Sequence, residues 1–267
     1  MALRKISKEL WELLEPLIPQ FVPSRKGGRR RSVDDQAALN GILYVLETGI
    51  PWEELPQELG FGSGTTCWRR LRDWQAAGVW ETLHLAMLQW LREHDQIDWS
   101  RASIDGASVS SPWGQETGPN PTDRGKLGSK HHVVVDARGV PLAITVTGAN
   151  RHDSMAFEST LDAIPAVPGL DGRPRKRPGK LHADKGYDYG RCRRYLRKRG
   201  ITARIARKGI ESRDRLGRHR WVVERTHAWF AGFGKLRIRF ERRLDIHPAL
   251  LSLAAAVICS RFVDDLC

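Results

Sequence analysis

The sequence predicts an all-helical first hundred residues followed by an α/β region, a mixed five-stranded sheet with flanking helices. Three observations carry this expectation. Apolar residues recur at helical spacing through the first hundred positions, then alternate in short runs from Trp99 onward. Charge divides at the same place: residues 1–100 hold 12 basic and 14 acidic side chains, whereas residues 101–267 hold 32 and 17. Three acids, Asp105, Asp184 and Glu224, fall at two strand ends and inside one helix, positions from which carboxylates can converge at one sheet edge.

Ser7 is placed to cap a first helix whose Leu10, Leu13, Leu14 and Leu17 share a face before Pro19. The run Arg25–Arg31 (RKGGRRR) reads as a basic linker broken by glycine. Ser32, with Asp35 three residues on, starts a second helix with the stripe Ala38, Ile42, Val45 and Leu46, stopped by Gly49 and Pro51. A short helix near Glu53 to Leu59 leads into a glycine-rich turn, and another begins near Thr65. Two helices across a tight turn, the second bearing Arg69, Arg70 and Arg72, have a helix-turn-helix outline suited to DNA. The plain alternative is a helical bundle with solvated arginines.

Beyond Trp99, Arg101 to Asp105 reads as a strand and Ser111 to Ser129 as a long Gly/Pro-rich loop. His131 to Asp136 and Val140 to Thr147 form a hairpin turned at Arg138-Gly139. Met155 to Ile164 is helical, Leu181 to Asp184 a strand, Tyr189 to Arg199 a helix, Ile201 to Ile205 a strand, and Arg218 opens a helix. The order β-β-β-α-β-α-β-α is that of ribonuclease H. The expected division is residues 1–98 and 99–267.

A net charge of +13 points to a polyanionic partner, and the excess is local: residues 173–243 carry 25 Lys/Arg against 6 Asp/Glu, around Asp184 and Glu224. Cys67, Cys192, Cys259 and Cys267 lie too far apart for a zinc knuckle or a dense disulfide framework, so reduced thiols in a cytoplasmic protein are expected. No signal peptide is evident at the N-terminus, and the apolar run Pro248 to Cys259 is short and alanine-rich, so a core helix rather than a membrane span is expected.

Each acid alone is weak evidence. Asp105-Gly106 is an ordinary turn pairing, and a helical Glu usually faces solvent. Glu224, however, lies among Val222, Val223, Trp229 and Phe230, so it wants a partner: a metal, or Arg220 four residues back. Lys126 and Lys130 in the long loop are candidate DNA clamps, with a loop tip of no function as the alternative. His131-His132 and His152-Asp153 lack zinc spacing and suit hydrogen-bonded roles better. The basic helix Arg191 to Arg199 suits phosphate tracking or, nearly as well, a solvated face.

The motifs SIDG, GPNPTDRGKLGSKHH, TGANRHDS, HADKGYD, ITARIARKG and HRWVVERTHAWFAGFGKLRIRFERR resemble those of bacterial insertion-sequence transposases of the DDE class, most closely the insertion-sequence-five group. The resemblance covers nearly the whole chain, including the helical stretch WEELPQELGFGSGTTCWRRLRDW. It implies a ribonuclease-H-like catalytic domain preceded by a helix-turn-helix-like domain, and Asp105, Asp184 and Glu224 as a triad holding two Mg²⁺ or Mn²⁺ ions. Of the related pattern Y-x2-R-x3-E-x6-K, Arg220 and Glu224 keep R-x3-E, while Gly217 and Ala231 stand at the outer positions and Lys235 or Arg225 is the candidate substitute.

The implied activity cuts DNA at the element's terminal inverted repeats and joins the freed 3′-hydroxyl to target DNA. Lys185, Arg220 and Arg225 beside the acids are then further candidate DNA contacts. Pairing two ends implies a homodimer or larger assembly, in a cytoplasmic, nucleoid-associated setting. Two competitors are a metal-dependent nuclease that cuts without joining and a transposase-derived DNA-binding protein without catalysis.

Overall fold

The protein is described here by a computed structural model covering residues 6, 8–21, 32–169, 172–207, 209 and 213–264. Ser7 and the basic run Arg25–Arg31 lie outside the described residues. The helical region comprises α1 (Lys8–Leu14), α2 (Asp35–Thr48), α3 (Gly64–Ala76) and α4 (Val79–Glu93). Asp34, not Ser32, caps α2 by accepting the Ala37 amide at 2.6 Å, because the helix starts three residues later than expected. Ser63 caps α3 in the same way through the Thr66 amide. The expected short helix at 53–59 is two single 3-10 turns, Trp52–Glu54 and Gln57–Leu59.

The sheet holds β1 (Ala102–Ser110), β2 (Gly118–Pro119), β3 (Leu127–Asp136), β4 (Pro141–Gly148), β5 (Lys180–Ala183) and β6 (Thr202–Ile205). Its main order is β4-β3-β1-β5-β6. β3 is antiparallel to β1 and β4, whereas β5 is parallel to β1 and β6 to β5. The five expected strands are present, and the sixth is the two-residue β2 pairing with the start of β3. The hairpin turn after β3 is organised by Asp136, whose buried carboxylate accepts the amides of Asp98, Arg138, Gly139 and Val140.

One expectation fails instructively. β1 does not end at Asp105 but runs on to Ser110, with Gly106 paired to His132. Gly106 is no turn residue. A Cβ there would sit 2.7 Å from Asp153 Oδ1 and 3.1 Å from His132 Nδ1, so its missing side chain makes room for a charged cluster.

Helices α5 (Asp153–Asp162) and α6 (Gly190–Lys198) cover one face of the sheet. The other carries α7 (Arg213–Gly232), the short α8 (Gly234–Arg237) and α9 (Ile246–Asp264). α9 also packs on α4 and α3, so one continuous core joins the helical region to the sheet. His84 of α4 adds a bond of 2.8 Å to the Pro141 carbonyl of β4. At Ile246–Val263, α9 is long and apolar enough to cross a membrane, longer than the sequence run suggested, but 72% of that window is buried within the fold. It is a core helix. Where α2 ends, Gly49 (φ 78°) abuts Gly234: a Cβ on either would lie within 2.6 Å of the other segment's backbone. Cys67, Cys192 and Cys259 are buried and free.

Candidate active site

β1 and β5 are adjacent parallel strands in which Ser103 pairs with His182. Two residues further on, at the same level, stand Asp105 in mid-strand and Asp184 immediately after β5. Side chains two apart share a face, and that face is the one under α7. Ser103 Oγ donates to the His219 carbonyl of α7 at 3.1 Å, and the His182 ring lies 4.9 Å from that of His219. α7 thus lies over β1 and β5 and brings Arg220 to Asp105, with Glu224 one turn on.

Arg220 links the parts. Its Nη2 is 3.3 Å from Asp105 Oδ2 and 4.0 Å from Glu224 Oε1. The Arg220–Glu224 pair foreseen four residues apart on one helix is therefore present, but the shorter contact is to the strand acid. Asp184 Oδ1 accepts the Gly186 amide at 2.8 Å, fixing the tight exit from β5. His227, one turn beyond Glu224, bonds to the Asp105 backbone, and burial lowers its pKa to about 4. Burial also pushes Asp105 up to about 6, against the lowering pull of Arg220, with Asp184 and Asp153 adding to the rise. The Tyr187 hydroxyl, fully buried and without a partner, feels the same three acids, which with burial push its pKa far up.

Carboxylate oxygens are the donors that hard divalent cations take. The guanidinium lodged between Asp105 and Glu224 shows that positive charge is accommodated there. Among the described residues no three His, Cys, Asp or Glu side chains are gathered closely enough to enclose an ion. Glu224, 60% exposed, is the member with freedom to turn inward. The donors are of the chemical type a divalent cation takes, though they are not gathered around one position among the described residues.

The other candidates differ in how far their charge reaches the surface. Arg69 is exposed on α3, and Lys126 is 63% exposed with Asp123 at 3.8 Å. Arg72 binds Asp73 and lies 5.5 Å over Trp68 while staying partly exposed. Lys185 opens the turn after Asp184, beside the acids. Arg70 is different: it is 5% exposed, paired with Asp35 and bonded to the Val33 carbonyl. It holds α3 to α2 and presents no charge to DNA. Lys130 is likewise turned in, 12% exposed and 3.0 Å from Asp153, so the clamp role does not hold for it. Arg225 is sandwiched between Trp221 and Trp229 at 4.6 and 4.5 Å and bonds the Arg138 carbonyl, so it is a packing residue.

Lys235 does not substitute for the missing lysine either, being buried against Glu241 at 3.6 Å. On α6, Arg191, Arg193 and Arg199 are spent on Ser154, Asp188 and Asp162, leaving Arg194, Arg197 and Lys198 exposed. The histidines are hydrogen-bonded: His131 Nε2 to His247 at 2.7 Å, and His132 Nε2 to Thr147 at 2.8 Å. His152 caps α5. What the sequence reading missed is the cluster of Lys130, His132 and Asp153 behind Asp105; its one visible trace was the acid in TGANRHDS.

A ribonuclease-H-like sheet with acids on two neighbouring strands and on the helix laid over them defines a DDE-type catalytic domain. The chain belongs to the DDE transposases of the IS4/5 family: residues 94–259 match the family "Transposase DDE domain" and residues 6–84 match "Putative transposase of IS4/5 family". It is 55% identical over 151 residues to a "Putative transposase for insertion sequence element IS402" of Burkholderia cepacia, covering 56% of this chain and 72% of that one. It is 25% identical over 134 residues to the "Transposase for insertion sequence element IS1106" of Neisseria meningitidis serogroup B, covering 49% of this chain and 43% of that one. Among solved structures, the Mos1 mariner paired end complex with Mn aligns over 87% of this chain and 82% of that one, at 11% identity and a TM-score of 0.27, too slight a likeness to bear on the argument.

Proposed function

We propose that this transposase cuts DNA at the ends of its insertion sequence and joins the freed 3′-hydroxyls to target DNA, with Asp105, Asp184 and Glu224 as its catalytic acids and as holders of two divalent cations, Mg²⁺ or Mn²⁺. The observation that carries this reading is that Asp105 of β1 and Asp184, just after β5, each follow by two residues a paired position of adjacent parallel strands, next to the helix that bears Glu224. Held by those carboxylates, two divalent cations would supply activation of an attacking water and neutralisation of charge on the departing oxygen.

The chain's own residues do the rest. The three carboxylates must be ionised to hold cations, and Asp105, held up at about 6 by burial, gives up its proton only as pH rises through that value. Arg220, whose Nε is buried without a partner, can offer Nε and Nη2 together to one phosphate. Lys185 adds charge beside the acids and Lys126 on the exposed loop before β3, while Arg69 and Arg72 on α3 face outward for the terminal repeats. In this reading residues 1–98 recognise the repeats and residues 99–267 carry the chemistry. The protein works as a dimer or larger assembly on DNA in the bacterial cytoplasm.

The test uses precut element ends and a target duplex with Mg²⁺. Joined products are expected from the wild type. Asp184→Asn, which keeps an acceptor for the Gly186 amide, should bind ends normally and neither cut nor join. Cleavage surviving in that variant removes Asp184 from the site, and cutting without joining reduces the protein to a nuclease.

A further inference from the structure

Arg220 bonds the same two carboxylates that the proposed metal site needs. Its Nη2 stands 3.3 Å from Asp105 Oδ2 and 4.0 Å from Glu224 Oε1, on a side chain only 16% exposed. A guanidinium does not deprotonate in proteins, so it cannot yield the position by losing its charge. A divalent cation drawing on the same oxygens would meet a fixed positive charge within contact range, and the two repel. The contact is also geometrically incomplete for the arginine. Nε is buried and finds no acceptor, and Nη2 meets one strand acid and one helix acid at unequal distances rather than a bidentate fork. A phosphate diester offers two oxygens in the spacing that fork prefers.

We infer that Arg220 and the divalent cation compete for Asp105 and Glu224, and that a DNA phosphate relieves the competition by drawing the guanidinium away. Metal and DNA then bind interdependently, each strengthening the other by the same factor, as linkage requires. The inference rests on the proposed acid site, and its consequence is that the protein gathers its cations efficiently only where a phosphate is at hand.

The test needs no turnover. Mn²⁺ alone is titrated into the full chain, with the free ion followed by electron paramagnetic resonance, with and without a short duplex of arbitrary sequence. Without DNA, Arg220→Gln should hold Mn²⁺ about tenfold more tightly than the wild type, within the usual range of such couplings. The duplex should strengthen Mn²⁺ binding to the wild type about tenfold and do markedly less for the variant. Equal or weaker Mn²⁺ affinity in Arg220→Gln, or the same gain from the duplex in both proteins, overturns the competition. Should Arg220→Gln not fold by circular dichroism, Arg220→Lys carries the test, since its shorter side chain sets the charge back from Asp105 and Glu224. A smaller gain in the same direction is then expected, and no gain overturns the idea. Asp105→Asn separates the two levels. If it binds Mn²⁺ as well as the wild type, the acids do not hold the metal and both readings fall; if it loses Mn²⁺ while Arg220→Gln gains none, only the competition falls.

Discussion

At residues 105 and 106 the strand β1 shows two opposite faces with opposite electrostatic habits. Toward α7, Arg220 lies close to both Asp105 and Glu224. Toward α5, the single acid Asp153 has Lys130 at 3.0 Å and the His132 ring at 3.8 Å, seated in the gap that Gly106 leaves. On the first face one guanidinium serves two carboxylates, and on the second one carboxylate has an ammonium of its own. Carboxylates held together with too little neutralisation are costly to the fold, and they persist where an incoming cation completes them. The contrast separates a face built to receive charge from one built to support it.

The sharpest way to break this comparison is to neutralise one acid on each face. Asp105→Asn should lower cleavage by on the order of 10³-fold, whereas Asp153→Asn should leave most of it; comparable losses in a gel assay would erase the distinction. The next effect is on stability. Asp105 is raised to about 6 in the folded chain, above the ordinary carboxylate value, so the fold binds its proton more tightly than the unfolded chain does. Its ionisation therefore costs stability as pH rises through the interval from about 4 to about 6. Without divalent ions at pH 7, Asp105→Asn should melt higher than the wild type, by up to about 2 kcal/mol, even as it kills activity. A lower melting temperature would mean that Arg220 more than compensates the acid.

On the supporting face, Gly106→Ala pushes a methyl to within 2.7 Å of Asp153 Oδ1. A loss of about 1–3 kcal/mol is expected, seen as a lower denaturation midpoint; an unchanged midpoint would show that Asp153 moves aside freely. The smallest effect crosses the strand. Asp153 contributes to raising Asp105, so Asp153→Asn should move the acid limb of the cleavage pH profile, expected near pH 6, to lower pH. A shift to higher pH would contradict the electrostatic link.

Much of this was legible along the chain because strands and helices announce themselves locally. The β-branched run in His131 to Asp136 and the acid closing Leu181 to Asp184 needed no tertiary information. The end of β1 was misjudged because Asp-Gly is a turn pair by local chemistry, and the reason the strand continues, Asp153, lies 47 residues beyond Gly106. Arg70 looked like its exposed neighbour Arg69 because its partner Asp35 is a full helix and turn away. Lys130 and Arg225 were misplaced for the same reason: salt bridges and tryptophan sandwiches depend on how elements meet. Local pattern reveals which residues carry charge, and packing decides which of them spend it inside.

The helix at Ile246–Asp264 serves as the shared wall between the α4 bundle and the β4 edge of the sheet. A ribosome delivers that wall after every other described element, so neither half has its complete core while the chain is still being made. Nascent chains arrested before Ile246 should thus be readily digested in limited proteolysis throughout, the helical region included. Such a chain completes the shared core only once that last helix is made.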